Sequence, residues 1–391
     1  MSGWQLKNKT CIVGIGETQF MRWGRSTRSS FDLACEAISK AVADAGLNIH
    51  DIDGLVTYAL DQNHVAKMAT GLGLPELRYA TFWPGGGGGT AAVIMDAAMA
   101  VHCGAANYVV CYRSLCQGQE RRFGQAKPMD VATGEAAFTT PYGLVSPAQR
   151  LGLQVKRYMH EYHITERHLA AVALACNKHA QRNPRALMNG KPLTLETYLS
   201  SRMIVDPLRL YDCCLESDGA CAIVVTTLER ARSLKKKPVS ILAACQGAGA
   251  RQGEAPGDVN REGYLTANFY KMASDLYKRA EVTPKDVDVA QIYESCTGMV
   301  LMALEDFGFC GRGEAGRFVE TGALEWPAGR LPINTSGGNL AEGYIHGLEL
   351  VNEGVRQMRG DSTSQVQDAK ICLVAGGSGA HLVSCMLLGR E

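Results

Sequence analysis

The sequence predicts an α/β protein made of two similar halves, and three observations carry that expectation. First, Asp44–Tyr58 (DAGLNIHDIDGLVTY) aligns without gaps on Arg279–Tyr293 (RAEVTPKDVDVAQIY), and an internal repeat constrains an architecture more than any local motif does. Second, a glycine-rich segment, a helical stretch and an apolar strand follow one another twice. Gly85–Gly89 lead into TAAVIMDAAMAVHCGA and NYVVCYR, and Thr335–Gly347 lead into LELVNEGVRQMRG and AKICLVAGGSG. Third, at 391 residues the chain exceeds the size of one ordinary core.

Each copy of the repeat reads the same way. A helix ends near an alanine, and a turn capped by Asn48, or by Thr283 and Pro284, follows. A short acidic turn (Asp51, Asp53; Asp286, Asp288) then leads into an apolar strand. Alternation of strands and helices on this scale predicts layers of sheet and helix, with the halves packed about a pseudo-twofold axis. The expected division is a first half over 1–232 and a second over 233–391. The segment 114–211 has no counterpart in the second half and reads as an insertion or lid. Within it Ala148–Arg182 has helical spacing, and Lys127–Tyr142 is rich in turn formers.

Composition excludes several classes. With 40 basic against 39 acidic side chains and a net charge of +1, no nucleic-acid partner and no membrane surface is expected. The start MSGWQLKNKT has no leader pattern and no apolar run reaches the ~18 residues of a span, so a cytoplasmic protein is expected. The 14 cysteines are scattered and read mainly as small buried hydrophobes. Neither adjacent Cys213 and Cys214 nor Cys111 and Cys116 combine with histidines at zinc spacing, so no metal is expected in this chain.

Four loops are placed to hold an oxyanion with backbone amides and helix starts: Pro84–Thr90, Gln291–Gly298 (QIYESCTG), Asn334–Gly347 (NTSGGNLAEGYIHG) and Ala375–Ala380 (AGGSGA). Four such loops in this order on a repeat resemble the thiolase superfamily over essentially the whole chain. The strings PLRLYDCCLESDGA, LEDFGFCGRGE and INTSGGNLAEGYIHG are most similar to the branch holding sterol-carrier-protein-type thiolases and bacterial lipid-transfer thiolase-like proteins. The resemblance implies a five-layered αβαβα thiolase fold, a homodimer, and a pantetheine tunnel by which a coenzyme A substrate reaches the four loops. It also implies a small partner protein with a zinc ribbon and an OB-type domain, of the DUF35 type.

The departures from that family are informative. The acyl-accepting cysteine of the first loop is replaced by Gly85–Gly89. The third loop has Tyr344 after Gly343 where a histidine is usual, with His346 two residues later. The fourth loop reads Gly376, Gly377, Ser378, Gly379 where a proton-shuttling cysteine is usual. Cys296, standing where most relatives carry phenylalanine, is a candidate replacement nucleophile. A free thiol titrates near ~8.5, and an imidazole or a helix start lowers that value. His346 is its candidate base. The alternative is that Cys296 fills a phenylalanine-sized hole and is inert.

Tyr293 and Tyr344 match positions that serve as acid/base groups in thiolase-like retro-aldolases of steroid side-chain breakdown, where a phenol with a pKa of about 10 exchanges a proton with a β-hydroxyl. As packing residues they would carry no such role. Gly86, Gly87, Asn339, Gly377 and Ser378 are the oxyanion and loop candidates. Asn334, Ser336 and Asn339 read as loop formers through side-chain-to-backbone bonds. Glu294 and Glu342 either orient His346 or are surface carboxylates. Arg113, Arg121, Arg122 and Lys127 are the local cations for coenzyme A phosphates, or a solvated basic face.

The preferred expectation is a thiolase acyltransferase. It would perform coenzyme A-dependent thiolysis of a bulky or aromatic β-ketoacyl-CoA such as benzoylsuccinyl-CoA, or the reverse Claisen condensation, with Cys296, His346 and Tyr344 as its machinery. The alternatives are a retro-aldolase working on a β-hydroxyacyl-CoA through Tyr293 and Tyr344, and a non-catalytic acyl-CoA or lipid carrier.

Overall fold

Nine strands form the body of one mixed sheet in the computed structural model, which describes residues 4–119, 131–250 and 263–391. They are β1 (Thr10–Glu17), β2 (Gly54–Tyr58), β3 (Tyr79–Trp83), β4 (Val109–Leu115), β5 (Ser217–Thr227), β6 (Val239–Gly247), β7 (Val289–Ile292), β8 (Ile371–Gly376) and β9 (Val383–Arg390). Their order is β7-β8-β9-β6-β1-β5-β4-β2-β3, and a two-residue strand at Met21–Arg22 is a tenth member pairing with β5.

The order is a palindrome in connectivity. In the first half β2 lies parallel to β4, β4 antiparallel to β5, and β5 antiparallel to β1. In the second half β7 lies parallel to β8, β8 antiparallel to β9, and β9 antiparallel to β6. The seam between the halves is narrow, with only Cys11↔Ser240 and Ile12↔Val239 in register.

The repeat is built by the same local chemistry twice. Helices α1 (Ser30–Ala45) and α5 (Tyr270–Ala280) end in left-handed residues at matching places, Gly46 with φ +75° and Glu281 with φ +60°. A side chain tolerates that conformation poorly, so Glu281 is the more strained of the two caps. Each helix is followed by a capping box, Asn48 with Asp51 and Thr283 with Asp286. Next, Asp53 accepts from the Asn107 and Tyr108 amides, and Asp288 from those of Lys370 and Ile371. The acidic turn thus ties the start of β2 to that of β4, and the start of β7 to that of β8.

Helices α2 (Gly89–His102) and α7 (Leu348–Arg359) form the middle layer. Each touches strands of both halves, whereas α1 packs mainly on β1, β5 and β4, and α5 on β6 and β9. A helix between two sheets must be apolar or neutralised all round. Accordingly α2 is nearly all Ala, Val, Ile and Met, and α7 buries ten of its residues. The layers run α1, first sheet half, α2 with α7, second sheet half, α5: the five-layered α/β arrangement that the resemblance implies. Among the described residues no helix is long and apolar enough to cross a membrane.

The segment expected as an insertion holds α3 (Pro147–Tyr162) and α4 (Glu166–Ala180). The single helical region read from Ala148–Arg182 is therefore broken, at His163, whose backbone is left-handed (φ +55°). The segment packs on α6 (Thr297–Asp306), and the residues that directly follow it grip the loops at the start of that helix. Thr297 donates to Asp212 at 2.6 Å, Cys213 forms an isolated antiparallel bridge with Cys296, and Leu215 N donates to Asn339 O.

Candidate active site

Tyr293 leaves the end of β7, and Asn334 holds it in place by imitating a strand neighbour. The Asn334 side chain accepts from Ile292 N at 2.7 Å and donates to Ile292 O at 2.9 Å. Asn334 thus forms its loop by side-chain-to-backbone bonds, as expected, whereas the Ser336 hydroxyl donates to the Glu342 carboxyl and not to backbone. This pinning brings the second and third loops together, and the Tyr293 hydroxyl donates to the Tyr344 hydroxyl at 3.0 Å. Both rings are buried, in an edge-on contact with centroids 6.1 Å apart.

The other two loops meet the same pair. A Cβ on Gly87 would lie 2.3 Å from Tyr293 Cζ, and one on Gly86 would lie 3.2 Å from His346 Nε2. Gly377 abuts the Gly88 amide, where a Cβ would come within 2.5 Å. At Gly86 and Gly87, within the run that displaces the usual nucleophile, an imidazole and a phenol from the other half stand where a side chain would project. Ser378 is fully buried, and its hydroxyl has no hydrogen-bond partner among the described residues.

Burial raises both phenols. For Tyr293 the hydrogen bond it donates to Tyr344 pushes the same way. For Tyr344 the bond it accepts, together with the Arg113 charge, pulls against the burial. Tyr344 is therefore the member of the pair on which negative charge is better tolerated, and both rest as neutral phenols.

His346 is 3% exposed and stacks on Tyr58, with centroids 6.0 Å apart and planes 23° apart; the Tyr344 ring meets it edge-on at 5.2 Å. Its carbonyl accepts from Thr90 Oγ1 at 3.1 Å and from the Tyr58 hydroxyl at 3.3 Å. The amides on either side, Ile345 N and Gly347 N, both donate to Glu349 Oε2 at 3.1 Å. Burial and the neighbouring Arg113 charge hold the imidazole well below its usual pKa, so it is neutral.

Several residues expected at the site lie elsewhere or do other work. Arg113 is not a phosphate cation: it is 1% exposed, pairs with Asp61 at 2.9 Å, and donates from Nε to His346 Nδ1 at 2.9 Å. Arg121, Arg122 and Lys127 lie outside the described residues. Cys296 does not have the surroundings of a thiolate. It is 1% exposed in the apolar core, burial raises its thiol, and Asp212 and Cys213 raise it further against the amides of Met299 and Gly298. The thiol that bears electrostatically on both phenols is that of Cys214.

Glu294 and Glu342 are buried, not surface groups, and neither orients His346. Glu294 accepts from Asn339 N at 3.0 Å, and Glu342 accepts from Asn183 Nδ2 at 2.8 Å and from Ser336. Burial pushes each carboxyl up to about 7. The Asn339 side chain is buried with both polar atoms unpartnered among the described residues, so it does not form its loop by side-chain bonding. No group of three or more His, Cys, Asp or Glu side chains among the described residues is placed to hold a metal ion.

Sequence reasoning missed Tyr58, Asp61 and Glu349. Tyr58 was within reach, because it is the last residue of the gapless repeat and so the counterpart of Tyr293. Glu349, an acid in the first turn of a helix behind a glycine, carries a recognisable helix-start signature. Asp61 sits in a loop with no pattern around it.

Residues 257–389 match the family model "Thiolase C-terminal domain-like". The chain is 42% identical to the 17-hydroxy-3-oxo-4-pregnene-20-carboxyl-CoA lyase of Mycobacterium tuberculosis, over 98% of this chain and 100% of that one. It is 41% identical to the steroid side-chain-cleaving aldolase of Thermomonospora curvata, over 99% of each. The solved Ltp2-ChsH2(DUF35) aldolase superposes with a TM-score of 0.92 at 40% identity, covering 98% of both chains. These full-length relatives are a lyase and aldolases, so the expectation of a thiolase acting on an aromatic β-ketoacyl-CoA does not hold. The chain belongs to the thiolase superfamily, among thiolase-like proteins that include steroid side-chain-cleaving aldolases.

Proposed function

We propose that this protein is a retro-aldolase that cleaves the bond between the α- and β-carbons of a β-hydroxyacyl-CoA with a bulky, steroid-like β-carbon, using Tyr293 and Tyr344. The observation that carries the reading is the 3.0 Å hydrogen bond between the two phenols beside a glycine-lined, cysteine-free first loop. Thiolysis needs a nucleophile at that place; a retro-aldol step needs only proton transfer.

The step balances within the pair. In one concerted relay along the Tyr293–Tyr344 hydrogen bond, the pair takes up the β-hydroxyl proton at one phenol oxygen as it releases its own proton to the α-carbon from the other. The β-oxygen becomes a ketone as the α–β bond breaks, and the electron pair of that bond collects on the thioester enolate and ends in the new bond from the α-carbon to hydrogen. Both phenols start and finish neutral, which fits their raised pKa values.

The carbon skeleton of the substrate is read from the two full-length relatives, and a DUF35-type partner from the solved Ltp2-ChsH2(DUF35) aldolase. Coenzyme A enters as part of the substrate. A homodimer and a cytoplasmic location remain part of this reading on the family resemblance. The test is stoichiometric: with a tertiary β-hydroxyacyl-CoA and no free coenzyme A, the chain, with its DUF35-type partner added, should release one ketone and one shortened acyl-CoA per substrate. A requirement for free coenzyme A contradicts the proposal.

A further inference from the structure

We propose that Arg113, braced by Asp61, is a positioning residue that locks His346 as the Nε2–H tautomer, so that this imidazole donates a hydrogen bond to the thioester oxygen as it becomes an enolate oxygen. The inference rests on the retro-aldol reading for the identity of that oxygen, but the tautomer lock stands on the protein alone.

A guanidinium is a donor at every nitrogen and does not lose its proton in a protein. Arg113 Nε lies 2.9 Å from His346 Nδ1, so Nδ1 must be the accepting, unprotonated nitrogen. In a neutral imidazole the single proton is then on Nε2. His346 is neutral because the fold buries it beside a permanent cation. The geometry therefore gives His346 the role of a donor and removes the role of a general base: the nitrogen that would receive a proton is already occupied by the Arg113 N–H.

The clamp is rigid. Arg113 Nη1 is held by Asp61 Oδ2 at 2.9 Å and by Ser114 O at 2.8 Å, and Asp61 Oδ2 also accepts from Ser114 N at 2.7 Å. The guanidinium carbon lies 5.7 Å from the Tyr58 ring centroid, and Tyr58 also stacks on His346. Arg113 Nη2, though buried, has no hydrogen-bond partner among the described residues, a cost accepted where the other nitrogens are placed for His346 and Asp61. His346 itself is held at φ +53°, a conformation uncommon for a non-glycine residue that persists only where the surroundings over-determine it.

Direction completes the case. Nε2 faces Gly86, on the loop where the family's acyl-accepting side chain would project, and the ring lies edge-on to Tyr344. A donor there stands beside the Tyr293–Tyr344 pair, where the enolate forms on the retro-aldol reading. Oriented, dehydrated donors of this kind are worth ~10²–10³ in kcat.

The experiment joins two readouts. The 15N spectrum of the full chain labelled at histidine, with the His346 resonances identified by their loss in His346→Gln, should show a protonated Nε2 and an unprotonated Nδ1 that do not titrate between about pH 5.5 and 8.5. Arg113→Met should lower kcat for β-hydroxyacyl-CoA cleavage ~10²–10³-fold with little change in KM. His346→Gln, which keeps an N–H donor, should retain more activity than His346→Ala. A proton on Nδ1, titration of His346 within that range, or full kcat in Arg113→Met overturns the inference. Should Arg113→Met fail to fold because Asp61 is left unpaired, the spectrum of the native chain still decides. Absence of cleavage by the wild-type chain counts instead against the retro-aldol reading, and the spectrum then tests the lock alone.

Discussion

Tyr293 and Tyr344 show how a residue's neighbours decide between chemistry and packing. Both were identifiable from family resemblance, but their partnership was not, because which hydroxyl bonds to which depends on Asn334 imitating a strand edge. Cys296 shows the converse. Its place in an active-site turn suggested a nucleophile, yet an apolar shell with Asp212 and Cys213 nearby makes it a poor thiolate former. The Arg113–His346 contact joins residues 233 apart, and no spacing in the sequence announces it.

Glu294 yields a prediction at this scale. Burial raises its carboxyl to about 7, against the Asn339 amide and the other donors that favour ionisation. A carboxyl raised on folding contributes stability that is fully present below its unfolded pKa, near 4.3, and is lost as the pH rises through about 7. Glutamine cannot ionise. The unfolding free energy of Glu294→Gln relative to wild type should therefore shift in the variant's favour between pH 5 and pH 8, by a few kcal/mol at most. Denaturant titrations at the two pH values measure it, and a difference independent of pH contradicts the burial argument.

At the scale of elements, the repeat was legible because it is written in caps and turns. Asn48 and Thr283, Asp53 and Asp288 each act on backbone within a few residues or at the next strand, so their types alone signal their roles. The break between α3 and α4 was not legible. His163 takes a left-handed conformation without the glycine that usually marks one. Nor was the docking of the residues just after this segment on the second and third loops, which depends on tertiary contacts such as Asp212 with Thr297.

The first loop carries the prediction that belongs here. A methyl on Gly87 would collide with the Tyr293 ring, with nearest approaches of 2.3 and 2.5 Å. Gly87→Ala should therefore move that phenol and lower the rate of carbon–carbon cleavage by about two orders of magnitude, the scale of loss that a misplacement of roughly 1 Å produces. Circular dichroism and the thermal midpoint of the variant should stay close to wild type, since the collision is with a side chain at a loop. Cleavage at the wild-type rate would show that Tyr293 has room to spare.

For the whole molecule, the two halves converge two equivalent residues on one site. Tyr58 ends β2 and Tyr293 directly follows β7, and the middle layer of α2 and α7 packs against both sheet halves between them. One phenol supports the imidazole and the other bonds to Tyr344. On the proposed reading, the family scaffold, which ordinarily presents a cysteine here, is refilled from both halves with groups that move or direct protons. That exchange explains how a chain can keep the thiolase architecture while its full-length relatives are aldolases.

The most direct test compares three variants on one tertiary β-hydroxyacyl-CoA, in the presence of the DUF35-type partner and without free coenzyme A. Tyr344→Phe and Tyr293→Phe should each lose at least ~10²-fold in kcat, the usual range for removing a proton-transfer group, whereas Cys296→Ala should stay within a few-fold of wild type. Loss of activity in Cys296→Ala with both phenylalanine variants active would contradict the account.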